Sequence, residues 1–285
     1  MTKNELVSFL RKKPSYLKKG KGYLAQMFDM KEEDCETALK EVKTETKIPV
    51  KEVKKNKSSL KSPKQYLGGN PNNILIIGDL HEPFCLKGYL EFCRNIQEKE
   101  DCGTVIFIGD VIDNHYSSYH ETDPDGYSAG EELDRAIDKI ARWYNTFPDA
   151  KVVIGNHDRM AHRKAYSAGV SKKWVRDYIE VLKTPKWEFV EYLEIDRINF
   201  NHGEGGTART KMKNEIQSQV QGHFHNQAYI EYAVGPTSRI FGMQVGCGVD
   251  RHAYAMAYGK SFKKPVISCG VIKNGNPHLF PMKLK

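Results

Sequence analysis

Two common features are missing from this 285-residue chain: closely spaced cysteine pairs and long apolar runs. The six cysteines stand far apart, so a cysteine zinc site is not expected and the thiols are predicted to be reduced. No run approaches the roughly 20 apolar residues of a membrane helix. The N-terminus, MTKNELVSFLRKK, has no apolar core followed by a small-residue cleavage site, as a secretory signal would. We therefore expect a cytoplasmic protein that does not enter a membrane.

Positive charge is in excess, and its distribution along the chain is uneven. The net charge is +8; residues 1–66 hold 17 Lys or Arg against 9 Asp or Glu, and the rest of the chain holds 27 of each. A surplus confined to the N-terminal quarter predicts a polyanionic partner, nucleic acid above all. The alternative is a solvated lysine-rich segment that keeps the protein soluble.

Residues 1–47 are predicted to form a small all-α module. The spacing of apolar residues predicts helices over residues 3–13, 21–28 and 32–44. The stretch LAQMFDMKEEDCETAL places the small Ala25 where a second helix would cross closely, and Asp29 at the turn that follows. The segment therefore resembles a helix-turn-helix.

The charge of the third predicted helix argues against its insertion into a groove of DNA. Acidic residues fill its first turn, between Glu32 and Glu36, and they would repel phosphates. DNA contact would then depend on the linker and on lysines around the helix, namely Lys18, Lys19 and Lys21. The alternative is that the module binds protein, or that it is a helical packing or homo-oligomerisation unit.

Beyond residue 47 the composition changes twice. Residues 48–72 are rich in Lys, Ser, Pro, Gly and Asn, which predicts a basic linker. Apolar runs such as ILII and TVIF then alternate with helical stretches such as GEELDRAIDKIARWYNTF, and INFN, SQVQ, RIFGMQ and PVISCGVI follow close together. This order of elements predicts an α/β sandwich over residues 73–285.

Polar side chains follow the apolar strands of this domain at five places. The motifs are DLH after ILIIG, GDVID after TVIFI, GNHD after KVVI, HG after INFN, and GHFH after SQVQ. Because the carboxyl ends of neighbouring strands share one edge of a sheet, these groups are expected to form a single site. Carboxylate, imidazole and amide ligands suit first-row divalent metals. The motifs offer more ligands than one ion needs, which indicates two ions and a shared carboxylate.

In this order, DxH, GDxxD, GNHD, a lone His-Gly and GHxH resemble the calcineurin-like metallophosphoesterase superfamily. The motifs span Asp79 to His225, and the resemblance implies a β-sandwich flanked by helices. It also implies two divalent metal ions. Mn²⁺ is the expected metal, and Fe²⁺, Zn²⁺ and Ni²⁺ are the alternatives. The implied ligands are Asp79, His81 and His225 at the first ion, Asn156, His202 and His223 at the second, and Asp110 between the two.

The resemblance implies catalytic roles for three further residues. His157 would donate a proton to the leaving group, Asp158 would orient His157, and Asp113 would act from the second layer of residues around the ions. Metal-activated hydroxide would attack the phosphorus in line with the leaving group. This reaction is open to phosphodiesters and phosphomonoesters alike.

Departures from the superfamily motifs separate the substrate classes. Its protein phosphatases usually show GDxxDRG and GNHE, whereas here Asn114 follows GDxxD and Asp158 replaces Glu. GDVID and GNHDRM look more like the nuclease subunits of double-strand-break repair complexes, although Pro83 stands where those subunits place a Gly and their long helical extension is not evident. Loops rich in aromatic and basic residues supply the candidate substrate contacts: Asn114, His115, Tyr116, Arg251 and His252.

We therefore predict a Mn²⁺-dependent nuclease, acting on DNA or RNA, with an N-terminal nucleic-acid-binding module. One alternative is a small-molecule phosphatase or cyclic-nucleotide phosphodiesterase. Another is a non-enzymatic DNA- or protein-binding factor on a metal-stabilised scaffold, against which the complete ligand set argues.

Overall fold

The computed structural model describes residues 1–13, 16, 19–45, 63–118, 122–253 and 264–284. It divides into two compact units, Met1–Ser59 and Leu60–Lys285. Most of the predicted linker lies outside the described residues. No helix in the described ranges is both long and apolar enough to cross a membrane. All six cysteines are free, as the sequence predicted.

Three helices form the N-terminal unit. They are α1 (Lys3–Lys12), α2 (Lys21–Phe28) and α3 (Glu32–Glu45), each within one residue of the predicted bounds. Asp29, between α2 and α3, adopts the left-handed conformation with φ 49° and ψ 59°, which lets the chain turn where the sequence predicted a turn. The core of this unit consists of apolar side chains from all three helices: Leu6, Val7, Leu10, Leu24, Cys35, Ala38, Leu39 and Val42.

Two lysines form ion pairs with Glu36, near the acidic start of α3. The Lys21 ammonium lies 2.8 Å from the carboxylate of Glu36, and Lys40 lies equally close to the same side chain. Hydrogen bonds from Lys21 and then Lys40 lower the pKa of Glu36 to about 2. Lys21, expected from the sequence to contact DNA, is therefore engaged within its own unit. Lys18 lies outside the described residues, whereas Lys19 is exposed.

Two β-sheets form the centre of the second unit. The first sheet has the strand order β11 (Asn276–Pro281), β10 (Ser268–Lys273), β1 (Asn70–Ile77), β2 (Cys102–Phe107), β3 (Lys151–Val153), β4 (Glu188–Val190). The second has the order β5 (Leu193–Ile195), β6 (Ile198–Asn201), β7 (Ser218–Gln221), β9 (Arg239–Gln244), β8 (Tyr229–Val234). Parallel pairing of β1 to β4, and of β6, β7 and β9, directs the carboxyl ends of these strands to shared edges.

The two sheets pack face to face through apolar side chains. Ile76 and Ile106 of the first sheet join Phe200, Val220 and Met243 of the second in one buried cluster. Burial of this apolar surface is the main stabilisation of a sandwich, since each fully buried side chain of this size contributes about 1.5–3 kcal/mol. The mixed α/β sandwich predicted from the sequence is confirmed.

Helices cover the outer faces of both sheets. The helices α4 (Tyr89–Lys99) and α5 (Ala129–Thr146) pack on the first sheet through Tyr89, Ile140 and Trp143. On the second sheet, the backbone N–H of Ala208, in α8 (Ala208–Glu215), donates to the Gln244 side chain of β9. The remaining helices are α6 (Met160–Ser167) and α7 (Tyr178–Leu182), between β3 and β4.

Candidate metal centre

Loops at the carboxyl ends of the strands bring ligand-type side chains together. Three groups have ligand atoms within 4.8 Å of one another: Asp79, His81 and His225; His81, Asp110 and His157; Asp110, His202 and His223. Because the groups share His81 and Asp110, they form one continuous centre. Asn156, the remaining predicted ligand, joins it through its Oδ1, which lies 2.9 Å from His202 Nε2.

Asp110 lies in the middle of this centre and is almost fully buried. Its Oδ2 is 3.5 Å from His81 Nε2 and 3.1 Å from His202 Nε2, so one oxygen reaches both ends. Burial alone would raise the pKa of Asp110, but His202 and His157 hold it well below its usual range. This is the position that the resemblance assigns to the shared carboxylate.

Hydrogen bonds fix which ring nitrogens face the centre. His202 Nδ1 donates to the carbonyl oxygen of Ile108 at 3.0 Å, and His81 Nδ1 donates to the carboxylate of Asp113 at 2.5 Å. Because a carbonyl oxygen and a carboxylate accept these two bonds, Nδ1 of each ring carries a proton and Nε2 is the nitrogen that faces the centre. Both rings are therefore oriented as a ligand that binds a metal through Nε2 needs.

The donor set fits divalent metal ions. His81 Nε2 lies 3.1 Å from His225 Nε2, and His202 Nε2 lies 3.2 Å from His223 Nδ1. Lone pairs this close repel each other unless a proton or a metal cation lies between them. Among the described residues, the buried Asp79 Oδ1 has no hydrogen-bond partner, so an acceptor there is left for a cation. The residues that would hold two ions are Asp79, His81 and His225; Asn156, His202 and His223; and Asp110 between them.

The buried carboxylate also attracts protons to the centre. Burial lowers the pKa of His202, but Asp110 outweighs this effect and raises it to about 10. Burial lowers the pKa of His81, where the nearby His157 acts in the same direction. Because a metal ligand must be a neutral imidazole, an ion would displace the proton that Asp110 favours on His202.

Backbone conformation at the centre is unusual for non-glycine residues. His81, Asp110 and His223 have φ of 49°, 49° and 70°, in the left-handed region. Such residues each cost on the order of 1–3 kcal/mol and persist where surrounding structure holds them. No sequence pattern predicted this conformation, which aims three ligands inward at the ends of their strands.

Glycines next to the ligand motifs provide room for ligands that come from other motifs. In the sequence, glycine before these ligands indicates only that the backbone can turn sharply there. The structure adds a steric requirement, because a Cβ at these positions would overlap a buried side chain. The overlaps are with His202 at Gly109, with Asp110 at Gly155 and with Asp79 at Gly222.

Gly155→Ala should displace Asp110 and weaken metal binding. The new Cβ would overlap both Oδ1 and the backbone nitrogen of Asp110. We expect roughly tenfold or greater loss of Mn²⁺ affinity, measured by isothermal titration calorimetry on the full chain. Gly130→Ala is the matched control, since no atom lies within 4 Å of a Cβ there and alanine suits its position in α5. Equal Mn²⁺ affinity in the Gly155 variant and the wild type would contradict the steric argument.

His157 is oriented by the neighbouring loop. Its Nδ1 donates to the carbonyl oxygen of Asp113 at 2.5 Å, which leaves Nε2 for a metal ion or a substrate. Its pKa is lowered by burial but raised overall by the carboxylates of Asp110 and Asp113. The Asp113 carboxylate binds His81, one layer behind the ligands, where the resemblance implied it would act.

Asp158 has different contacts from those implied by the resemblance. Its Oδ1 accepts the backbone N–H groups of Val111 and Ile112 at 3.0 and 3.2 Å, and its Oδ2 accepts that of Gly155 at 2.8 Å. Among the described contacts, none is a hydrogen bond to the ring of His157. The expectation that Asp158 orients His157 is therefore corrected: Asp158 ties the GDxxD and GNHD loops together, because it is buried between their backbones.

Three of the five residues predicted to contact substrate are exposed. Tyr116 is 54% exposed beside the centre, and Arg251 and His252 are also exposed. Arg251 Nε lies 3.1 Å from His252 Nε2. Both follow a loop whose Gly248 N–H donates to the carbonyl oxygen of Asp79, and neither belongs to a ligand group.

The other two candidates have contacts within the protein. His115 is buried in a short 3-10 turn, His115–Ser117: its backbone N–H donates to Glu132 at 2.7 Å, and its Nε2 accepts the backbone N–H of Asp123. Asn114 Nδ2 donates to the carbonyl oxygen of His157 at 2.9 Å, so it positions the GNHD loop.

Sequence reasoning missed a pair of buried amides behind the GHxH motif. Gln221 and Gln244 are fully buried at the ends of β7 and β9. Gln221 Nε2 donates to the carbonyl oxygen of Gly206 at 2.8 Å, and Gln244 Nε2 donates to that of Gly222. The second bond holds the turn that presents His223, and the first holds the segment before α8. The available signal was glutamine at the last residue of two otherwise buried strands, in SQVQG and MQVG.

Comparisons with known proteins identify the family of this chain. The sequence model of the calcineurin-like phosphoesterase family matches residues 73–238, more than half of the chain. No curated protein sequence matches this chain. Similar solved structures include vacuolar protein sorting 29 from Cryptosporidium parvum, with 15% identity, a TM-score of 0.35, and coverage of 74% of this chain and 96% of that one.

Two further solved structures show comparable similarity. Yfce, a phosphoesterase from E. coli, is 14% identical with a TM-score of 0.36, over 71% of this chain and 88% of that one. Nuclease MPE from Pseudomonas putida is 12% identical with a TM-score of 0.27, over 73% and 87%. Because all three TM-scores are below 0.5, the assignment rests on the sequence model. This chain belongs to the calcineurin-like phosphoesterase family.

Proposed function

We propose that this protein is a cytoplasmic, Mn²⁺-dependent nuclease that hydrolyses phosphodiester bonds of DNA or RNA. The observation that carries the proposal is the charge distribution: the whole surplus of +8 lies in residues 1–66, and the charges of the residues that follow balance. A polyanionic substrate accounts for a basic segment outside the catalytic unit. A small phosphoester would be held by the metal centre alone and would need no such segment.

The groups at the centre have separate roles in the proposed reaction. When bound, two divalent ions lower the pKa of water and neutralise charge on the phosphoryl oxygens. Asp113 and the carbonyl oxygen of Ile108 hold His81 and His202 with Nε2 facing the centre. His157, with its raised pKa, donates a proton from Nε2 to the departing oxygen.

We infer that the N-terminal unit contacts the phosphate backbone rather than base edges. The first turn of α3 is acidic, and Lys21 of the same unit pairs with Glu32 and Glu36, which does not suit insertion into a groove. Exposed lysines remain at the end of α1 and before α2, at Lys12, Lys13 and Lys19. The helix-turn-helix resemblance supports this assignment, with the phosphates as the ligand.

Cleavage of end-labelled DNA and RNA, single- and double-stranded, in the presence of Mn²⁺ tests the proposal. We expect cleavage by the wild type and binding that weakens steeply with salt. The triple variant Lys12→Ala, Lys13→Ala and Lys19→Ala should flatten the slope of log K against log salt by about 0.7–0.9 for each phosphate that is no longer neutralised. Lys186→Ala removes one exposed lysine of the second unit. It is the control for the loss of a single positive charge outside the N-terminal unit.

Three outcomes separate the candidate functions. Cleavage that requires the metal supports the nuclease. Intact nucleic acids together with rapid hydrolysis of bis-p-nitrophenyl phosphate would instead assign a small-molecule phosphatase or cyclic-nucleotide phosphodiesterase. Salt-dependent DNA binding by metal-loaded protein that hydrolyses neither substrate would assign a non-enzymatic binding factor.

A further inference from the structure

The segment between the GNHD loop and β4 presents aromatic rings and positive charge to solvent. Residues 160–183 contain α6, a 3-10 turn at Lys172–Trp174, and α7. This segment, here called the α6–α7 segment, has six Lys or Arg against two Asp or Glu. Trp174 is 85% exposed and Tyr166 is 78% exposed, and Val170 and Ile179 of the same segment are also exposed.

Exposure sets Trp174 apart from the other tryptophans of the chain. Trp143 and Trp187 are 2% and 1% exposed, inside the core beneath the first sheet. Aromatic side chains of this size bury about 150–250 Å² when covered. A tryptophan left in water therefore does not contribute this buried apolar surface to the stability of the fold. Single exposed apolar residues are ordinary, but four within one short segment indicate a surface that a ligand covers.

The α6–α7 segment starts at the metal centre. The backbone N–H of Met160, the first residue of α6, donates to the carbonyl oxygen of His157 at 3.2 Å. Lys164 Nζ donates to the carbonyl oxygen of Ser118 at 3.4 Å, next to the turn that carries the exposed Tyr116. The eight residues of α6 span roughly 12 Å, so its far end stays close to the centre.

Ring contacts fix the segment on the sheet. Tyr178 of α7 packs against His162 of α6 at 4.8 Å between ring centroids and stacks on Phe189 of β4 at 5.2 Å. These inward rings leave the outward ones, Tyr166 and Trp174, on a surface supported from behind. A supported surface binds a ligand without first having to be ordered.

We propose that the α6–α7 segment binds single-stranded nucleic acid beside the metal centre, with bases stacked on Trp174 and Tyr166. This inference rests on the proposed nuclease function and makes single strands its preferred substrate. Every base has an aromatic face, so exposed rings bind single strands without sequence preference, and neighbouring cations bind the phosphates. Lys172, Lys173 and Arg176 are exposed around Trp174 and supply that charge.

Charge favours nucleic acid over an apolar partner surface. A face for another protein's apolar core would be depleted of charge, especially lysine, at its centre. Here Lys173 directly precedes Trp174 and Arg176 follows two residues later, in KKWVR. A single strand offers complements to both the ring and the cations, because each of its nucleotides carries one base and one phosphate.

Intrinsic fluorescence of the Mn²⁺-loaded full chain can isolate Trp174, because the other two tryptophans are buried. A short phosphorothioate oligo(dT), which resists cleavage, should quench the emission, and oligo(rU) is the RNA arm. Trp174→Phe should lose the quenching but keep most of the affinity, measured by anisotropy of a labelled strand. Trp174→Ala should lower that affinity at least about fivefold. Tyr232→Ala, an exposed aromatic residue of β8, is the control and should leave it unchanged.

The contribution of the lysines of the α6–α7 segment is measured by the salt dependence of binding. Lys172→Ala with Lys173→Ala should lower the slope of log K against log salt for oligo(dT) binding. The expected change in slope is about 0.7 for each phosphate that is no longer neutralised. Hydrolysis of bis-p-nitrophenyl phosphate should stay at the wild-type rate in all these variants, because none of the changed residues belongs to a ligand group.

The outcomes distinguish this inference from the function on which it rests. Equal oligo(dT) affinity in the wild type and Trp174→Ala would overturn the surface even if the protein cleaves DNA. Binding of anionic phospholipid vesicles without binding of oligo(dT) would overturn it as well. Stacking on Trp174 by a protein that cleaves no nucleic acid would overturn the nuclease and leave the binding surface in place.

Discussion

Asp110→Ala is expected to abolish hydrolysis of bis-p-nitrophenyl phosphate and to leave fewer than two metal ions per chain. One Asp110 oxygen lies within 3.5 Å of Nε2 of both His81 and His202, so its loss removes the carboxylate that both halves of the centre share. Metal ions contribute several kcal/mol of transition-state stabilisation, which corresponds to a fall of roughly 10³-fold or more in kcat. Steady-state rates with Mn²⁺ and metal content by mass spectrometry measure the two effects.

A conservative variant and a matched control sharpen this test. Asp110→Asn keeps an oxygen that can accept the backbone N–H of His157, now bound at 2.8 Å, but it removes the charge. It should therefore keep the native circular dichroism spectrum and still lose activity. Asp134→Ala makes the same change on the exposed face of α5 and should behave as the wild type. Two tightly bound ions and normal rates in Asp110→Ala would remove Asp110 from the shared position.

His157→Ala is expected to affect substrates according to their leaving groups. A p-nitrophenolate ion leaves without a proton, whereas the alkoxide of a nucleotide or another alkyl phosphodiester needs one. General acid catalysis contributes about 10²–10⁴-fold, so kcat for an alkyl phosphodiester should fall by that factor and kcat for the p-nitrophenyl ester much less. Parallel assays of the two substrates on the same metal-loaded protein give the ratio directly.

The reason for this expectation is the orientation of the ring. Its Nδ1 donates to the carbonyl oxygen of Asp113, which leaves Nε2 as the nitrogen that meets the substrate. His278→Ala, on an exposed histidine of β11, is the control and should leave both rates unchanged. Equal losses for both substrates, accompanied by loss of metal, would show His157 to be a ligand rather than a proton donor.

Local sequence patterns predicted the elements that the structure contains wherever the patterns were regular. The three N-terminal helices follow from apolar spacing and lie within one residue of their predicted bounds. Strands β1, β2, β3, β6, β7, β9 and β10 each overlap a segment that was recognised as strand-like in the sequence. The edge strands β4, β5, β8 and β11 were not recognised, because they are short or half exposed and lack a continuous apolar run.

The functions of individual polar residues were harder to predict than their presence. Asp158 was expected beside His157, yet its hydrogen bonds go to backbone groups from two loops. His115 was expected at the substrate, yet it is buried and its backbone N–H donates to Glu132. Residue type and spacing indicate which groups enter a region, but the direction of each side chain depends on backbone torsions that neighbouring loops impose.

The sequence by itself determined the family, the two-part organisation of charge and the set of candidate ligands. These properties follow from residue type and order, because apolar runs must be buried and the polar groups that end them must share an edge. Only the tertiary structure decided that Asp110 reaches both halves of the centre, which nitrogen each histidine presents, and that Trp174 is exposed. Such relations depend on distances between segments far apart in the chain, and those distances are set by packing of the whole sandwich rather than by any local pattern.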